Sequence, residues 1–128
     1  MHKILILEDE PSALQRLSRM INEIRPEYQI VNTADNLEDA EKILTTENYD
    51  LILSDIELSD GNCFDVFEKT DPKKPIIFIT AYNDYAIKAF KYNGIHYLLK
   101  PINYEDLTQA FVKYEKNTIC HCCFILFT

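Results

Sequence analysis

KILIL at residues 3–7 runs straight into Glu8 and Asp9, LILS at 51–54 into Asp55, and HYLL at 96–99 into Lys100. Each run is apolar on consecutive positions, the pattern of a strand covered on both faces, as in a parallel sheet flanked by helices. In such a sheet the strand C-termini lie along one edge, and ligands bind in the crevice outside it. Three acids and one amine far apart in sequence should therefore meet in one pocket.

β-rich runs alternate with helical patterns along the whole chain, at intervals of roughly 20 to 25 residues, the spacing of βα units. The expected strands are Lys3–Leu7, Tyr28–Thr33, Leu51–Ser54, Pro75–Ile79 and Ile95–Leu99, with the polar second run, YQIVNT, at an edge. Ala13, Leu14, Leu17, Ile21 and Ile24 recur at helical spacing between Pro11 and Pro26. Asn36 and Asp39 resemble a capping box opening a helix over Leu37–Glu47. Further helices are expected over Cys63–Lys69, Asp84–Asn93 and Tyr104–Lys116, with Gly94 ending the fourth. Five parallel strands joined by right-handed crossovers favour the flavodoxin-like doubly wound α/β sheet in the order 2-1-3-4-5. That order sets the first strand beside the third, so the switch point falls between Glu8-Asp9 and Asp55.

At 128 residues, 47% hydrophobic and 27% charged, the chain suits one globular domain. A formal charge of −8 disfavours a phosphate-gripping surface, so no nucleic-acid contact by this domain is expected. The opening residues are too briefly apolar for a secretory core or a membrane span, which points to the cytoplasm and no membrane. Cys63 stands alone and Cys120, Cys122 and Cys123 crowd one tail, unlike a spaced disulfide framework. The tail's CHCC run is also too compressed for structural zinc, which draws paired ligands from separated segments. Lone His2 and His96 receive no role. Tyr85, Phe90 and Tyr92, at helical spacing, read first as core and second as a partner surface.

Clustered carboxylates either share a proton or bind a hard cation, and Glu8, Asp9 and Asp55 suit magnesium. A carboxylate can also attack phosphorus without a general base, a role that fits Asp55. Lys100 would offset charge on the transferring group, and Thr80, ending the fourth strand, would add a hydroxyl donor. Set against this is the plainer role of such acids as loop starters and helix caps.

With ILILEDE, LILSDIELSDG, FITA ending at Ala81, and YLLKP in this order, residues 3–116 resemble response-regulator receiver domains of the CheY-like superfamily. The segment AYNDYAIKAFKYNGIHYLLKPI looks most like receivers of the LytTR (LytR/AgrA-type) response regulators. The resemblance implies that Asp55 accepts a phosphoryl group from a sensor histidine kinase. It implies Mg2+ held by Asp9, Asp55 and the Glu57 backbone carbonyl, with Glu8 assisting through water. Thr80, the Ala81 backbone amide and Lys100 would bind the phosphoryl oxygens. Thr80 and Tyr97 would form the switch, and Glu57 and Tyr82 would modify rates. It further implies a homodimer through the fourth-helix, fifth-strand, fifth-helix face, and transcription control through a DNA-binding output domain that the residues after Pro101 are too few to form.

The expected division is a receiver over 1–117 and a tail over 118–128, which truncation, a frame change or an added strand would each explain. Where the family often has Pro four and Gly eight residues after the acceptor, this chain has Ser59 and Cys63. Entry to the third helix is accordingly the weakest part of the likeness, with the Asp60-Gly61 turn a substitute. Rival readings are a stand-alone receiver acting by protein contacts, an interaction-only receiver, a magnesium phosphohydrolase that turns over, and a flavodoxin-like redox module. The last is disfavoured because Glu-Asp-Glu-Pro after the first strand would repel a cofactor phosphate.

Overall fold

The computed structural model describes residues 2–81 and 94–119. Its main sheet contains β1 (Lys3–Leu7), β2 (Gln29–Ala34), β3 (Leu51–Asp55), β4 (Ile76–Thr80) and β5 (Gly94–Leu99), all parallel and in the order β2-β1-β3-β4-β5. The expected topology and the edge position of the second strand both hold. That strand starts one residue late, because Tyr28 belongs to the preceding turn, where its amide donates to the Arg25 carbonyl at 3.0 Å.

Strand pleating sorts the core into two layers. Ile4 and Ile6, Leu51 and Leu53, and Ile77 and Ile79 face one side, against Leu17, Met20, Phe111 and Tyr114. Leu5 and Leu7, Ile52, and Ile76 and Phe78 face the other, against Ala40, Leu44, Phe64 and Phe67. Period-2 alternation with both sides apolar is what turns these runs into continuous hydrophobic stretches.

Helix α1 (Pro11–Ile24) starts on the proline expected from the sequence, whose missing N–H costs nothing in a first turn. In α2 (Leu37–Thr46), Asn36 Oδ1 accepts the Asp39 amide at 2.8 Å. The expected capping box is half formed, since the Asp39 carboxylate takes the Asn36 side-chain amide at 3.0 Å and not a main-chain donor. Asn62 caps α3 (Cys63–Thr70) by accepting the Phe64 amide at 2.8 Å. The C-terminal helix, Tyr104–Ile119, runs past the expected end at Lys116. The expected helix over Asp84–Asn93, with Tyr82, Tyr85, Phe90 and Tyr92, and the tail from Cys120 lie outside the described residues.

Between β3 and α3 lies a feature the periodicities did not suggest. Glu57–Leu58 and Gly61–Asn62 pair as a two-residue antiparallel hairpin. Gly61 has φ 151°, a conformation L side chains rarely adopt, and a Cβ there would sit 2.8 Å from Leu37 Cδ1. The backbone conformation is what calls for glycine there, since the Leu37 methyl could move aside.

At the sheet edge remote from the charged strand ends, Glu115 of the C-terminal helix binds Arg25 at the end of α1 through two bonds of 2.6 and 3.0 Å. It also accepts the Tyr28 hydroxyl. Nearby, His2 Nδ1 and the Tyr114 hydroxyl lie 2.6 Å apart. Arg25 holds the Glu115 carboxyl below its ordinary value, outweighing burial. A depressed carboxyl stabilises the fold above its unfolded pKa and loses that contribution as pH falls through its folded value. Glu115→Gln should therefore lower unfolding free energy by about 1–2 kcal/mol near neutral pH. Unfolding curves of the two proteins should converge in acid below the carboxylate range, as denaturant titrations across pH would measure.

Candidate functional site

Parallel register builds the site. Leu7 pairs with Ser54, so the next residues, Glu8 and Asp55, emerge level from neighbouring strands. On the other flank Asp55 pairs with Ile79 and Thr80 with Leu99, which sets Thr80 and Lys100 beside the acids. The Lys100 amide donates to the Thr80 carbonyl at 2.7 Å, extending the β4–β5 ladder into the pocket. A cis peptide joins Lys100 to Pro101.

Lys100 Nζ lies 2.8 Å from Asp55 Oδ2 and 3.0 Å from Glu8 Oε1. Oxygens of Glu8, Asp9 and Asp55 all fall within 4.8 Å of one another. Glu8, Asp55 and Thr80 are only 3%, 7% and 1% exposed, while Asp9 is half-buried. The three charged strand ends singled out from the sequence thus converge, together with Thr80 at the end of a fourth. Ala81 follows Thr80 at the exposed rim, and Tyr97 is half-buried against the α2–α3 core layer. Glu57 has an exposed side chain, and its amide approaches Asp55 Oδ1 at 3.3 Å.

Electrostatics expose what this cluster lacks. Burial pushes the Glu8 carboxyl up to about 7, and the Asp55 charge adds to the shift even though Lys100 opposes it. Burial also works against the Lys100 charge, but hydrogen bonds to Asp55 and Glu8 outweigh it and hold the ammonium above its ordinary value. One ammonium stands against three carboxylates in the cluster. An all-oxygen donor set with unmet negative charge fits a hard divalent cation such as magnesium, and receiver domains generally bind Mg2+ in an acidic pocket of this kind.

Several supports were not apparent from sequence. Ser54 Oγ donates to the Asp55 main-chain carbonyl at 2.9 Å. Cys63 packs behind it, fully buried, its thiol pushed up by burial. The Cys63 amide donates to the Ile56 carbonyl at 2.7 Å, so the α3 entry without the family's glycine is closed by main-chain bonding. Arg16 of α1 donates to the Ile102 carbonyl at 2.7 Å and steadies the segment after Lys100. These partners lie up to 86 residues apart, and no local pattern announces them. A cleft of about 440 Å³ opens beside the cluster, with Glu8 and Lys100 at one side and Leu17 and Met20 of α1 at the other.

Similarity to known proteins agrees with this geometry. The family model described as response regulator receiver domain matches residues 4–112. The sensory transduction protein LytR of Staphylococcus haemolyticus is 39% identical over 114 residues, covering 87% of this chain and 44% of that protein. The sensory transduction protein LytT of Enterococcus faecalis is 40% identical over 116 residues, covering 88% and 48%. The chain thus spans about half the length of the curated relatives it matches. Among solved structures, the response regulatory domain of mrkE from Klebsiella pneumoniae superposes with a TM-score of 0.81 at 30% identity, covering 90% of this chain and 96% of that one. With the family model spanning most of the chain and the charged strand ends in place, the chain belongs to the response regulator receiver family of two-component signalling.

Proposed function

We propose that the domain, residues 1–117, is a switch in which Asp55 takes a phosphoryl group from the phosphohistidine of a sensor kinase. The observation that carries this reading is the convergence of three carboxylates and one ammonium at the ligand-binding edge of the sheet. An Asp55 oxygen attacks phosphorus, the P–N bond breaks with its electron pair left on the donor imidazole, and an acyl phosphate forms. Asp9, Asp55 and the Glu57 backbone carbonyl would hold magnesium, with Glu8 reaching it through water. Bound there, the ion offsets charge on the oxygens of the transferring group.

The protein's own groups do the rest. Lys100, already within hydrogen-bond reach of Asp55, transfers its donors to the phosphoryl oxygens as they gain charge. The Thr80 hydroxyl and Ala81 amide donate to the same oxygens. The cleft beside α1 reaches the Glu8 and Lys100 side of the cluster and gives a donor protein a surface next to it. Glu57 and Tyr82 modify how fast water reaches the product.

Phosphorylation replaces the single charge of the Asp55 carboxylate with an acyl phosphate carrying about −2, a local change of about −1. Thr80 and Tyr97 convert that change into altered contacts, including a homodimer through β5 and the flanking helices. A LytTR-type DNA-binding domain beyond this chain would carry the output to transcription. The name of a 36% identical Staphylococcus aureus relative, transcriptional regulatory protein LytR, supports that assignment. No described helix is long and apolar enough to cross a membrane, and the reading places the domain in the cytoplasm.

Incubation with magnesium and acetyl phosphate should add one phosphoryl group by intact mass. Asp55→Asn should add none, and labelling of that variant at the wild-type level would overturn the assignment. Lys100→Met should slow phosphorylation by about a hundredfold, the scale of a lost preorganised charge. It should also lower metal-free stability by about 3 kcal/mol, because Glu8 and Asp55 are left as buried carboxylates without their cation. Phosphorylation time courses and denaturant unfolding measure the two effects separately.

A further inference from the structure

The hairpin that follows Asp55 is fastened at its tip to a distant helix. Asp60 Oδ1 accepts the Leu37 main-chain amide at 2.8 Å across 23 residues of sequence. Leu37 is the first residue of α2, so this amide is one of the donors a helix N-terminus leaves without an internal partner. Asn36 caps the Asp39 amide, and Asp60 supplies a second acceptor from outside the helix. The neighbours of Asp60 join the same contact. Ser59 Oγ donates to the Asp35 carbonyl at 3.2 Å, and Gly61 lies against Leu37 Cδ1. Three consecutive residues thus engage the β2–α2 connection.

The base of the hairpin is fixed as firmly. The Ile56 amide donates to the Ile79 carbonyl at 3.0 Å, and the Cys63 amide donates to the Ile56 carbonyl at 2.7 Å. Glu57 lies between base and tip. Its amide faces Asp55 Oδ1, and its carbonyl is the main-chain oxygen assigned to magnesium above. Glu57 is paired with Asn62 in the hairpin, so a tie at the tip and the bonds at the base act on it together.

We propose that Asp60 is a positioning residue for metal binding. By capping α2 it holds the tip of the hairpin, and so restricts movement of Glu57, the residue whose carbonyl is assigned to magnesium beside Asp9 and Asp55. The inference rests on the magnesium reading of the site. It also explains how a chain with serine and cysteine at the family's proline and glycine positions keeps this loop in shape, since side-chain bonds replace the stiffness of proline.

The test is a magnesium titration of the full chain, followed by the amide NMR shifts of Asp9, Asp55 and Glu57, with hydrogen exchange at the Leu37 amide as a second readout. Asp60→Ala should bind magnesium about three- to ten-fold more weakly, the scale of one lost hydrogen bond. Its Leu37 amide should exchange faster. Asp60→Asn keeps an acceptor oxygen and removes the charge, so its affinity should stay within about twofold of wild type. Equal weakening in both variants would assign the effect to long-range charge and overturn the inference. Should Asp60→Ala fail to fold, Asp60→Glu takes its place, since it keeps the charge and displaces the acceptor, and an unchanged affinity with faster exchange at the Leu37 amide overturns the inference as well. Wild-type shifts with an unaffected Asp60→Ala defeat this inference alone, whereas absence of magnesium-induced shifts in the wild type defeats the magnesium reading with it.

Discussion

The Lys100 ammonium, held between the Glu8 and Asp55 carboxylates, is the contact on which the site depends. Buried like charges repel strongly where the dielectric is low, and free side chains would separate. Separation is prevented by the backbone, because the register pairing Leu7 with Ser54 fixes the bases of both acids and the β4–β5 ladder fixes Lys100 beside them. The Glu8 carboxyl still stands at about 7 with its cation in place. Sheet hydrogen bonding thus holds three carboxylates and one ammonium together at the strand ends, an oxygen-rich arrangement of the kind hard cations bind.

Ties elsewhere divide the molecule into a fixed face and a more lightly held one. α1 is bonded at two heights to the segment that follows β5, by Arg16 to the Ile102 carbonyl and by Arg25 to Glu115. The aromatic group of His2, Tyr28, Phe111 and Tyr114 packs the same layer at the sheet's far edge. On the opposite face, Asp60 and Ser59 hold the start of α2 through exposed side-chain bonds. Exposed hydrogen bonds are weaker constraints than buried packing, so the hairpin after Asp55 is supported at its tip from the softer side.

Sequence periodicity carried most of the fold. Strands whose two faces are both apolar were legible within a residue, and Glu8, Asp9, Asp55, Thr80 and Lys100 were legible because each follows or ends such a strand. What escaped notice depends on partners remote in the chain. Asp60-Gly61 reads as a turn, but nothing near it announces Leu37. His2 reads as a lone histidine, although Tyr114 lies 112 residues away in sequence and 2.6 Å away in space. Asn36 and Asp39 gave the right helix start with only half of the expected bonding, since the Asp39 carboxylate found a side-chain amide instead of the main chain.

On the proposed chemistry, Lys100 also explains why phosphorylation must be felt beyond the pocket. Its ammonium already contacts two carboxylates, so an incoming phosphoryl group draws on donors shared with Glu8 and Asp55. The Lys100 amide is bonded to the Thr80 carbonyl, and Thr80 is itself assigned to the phosphoryl oxygens. A shift at either residue therefore acts on the ends of β4 and β5 together. Tyr97, three residues before Lys100, is half-buried and packs against the α2–α3 core layer, where close packing resists gradual adjustment. A side chain in that position responds to a displaced strand end by repacking between discrete arrangements, which is the property a switch requires.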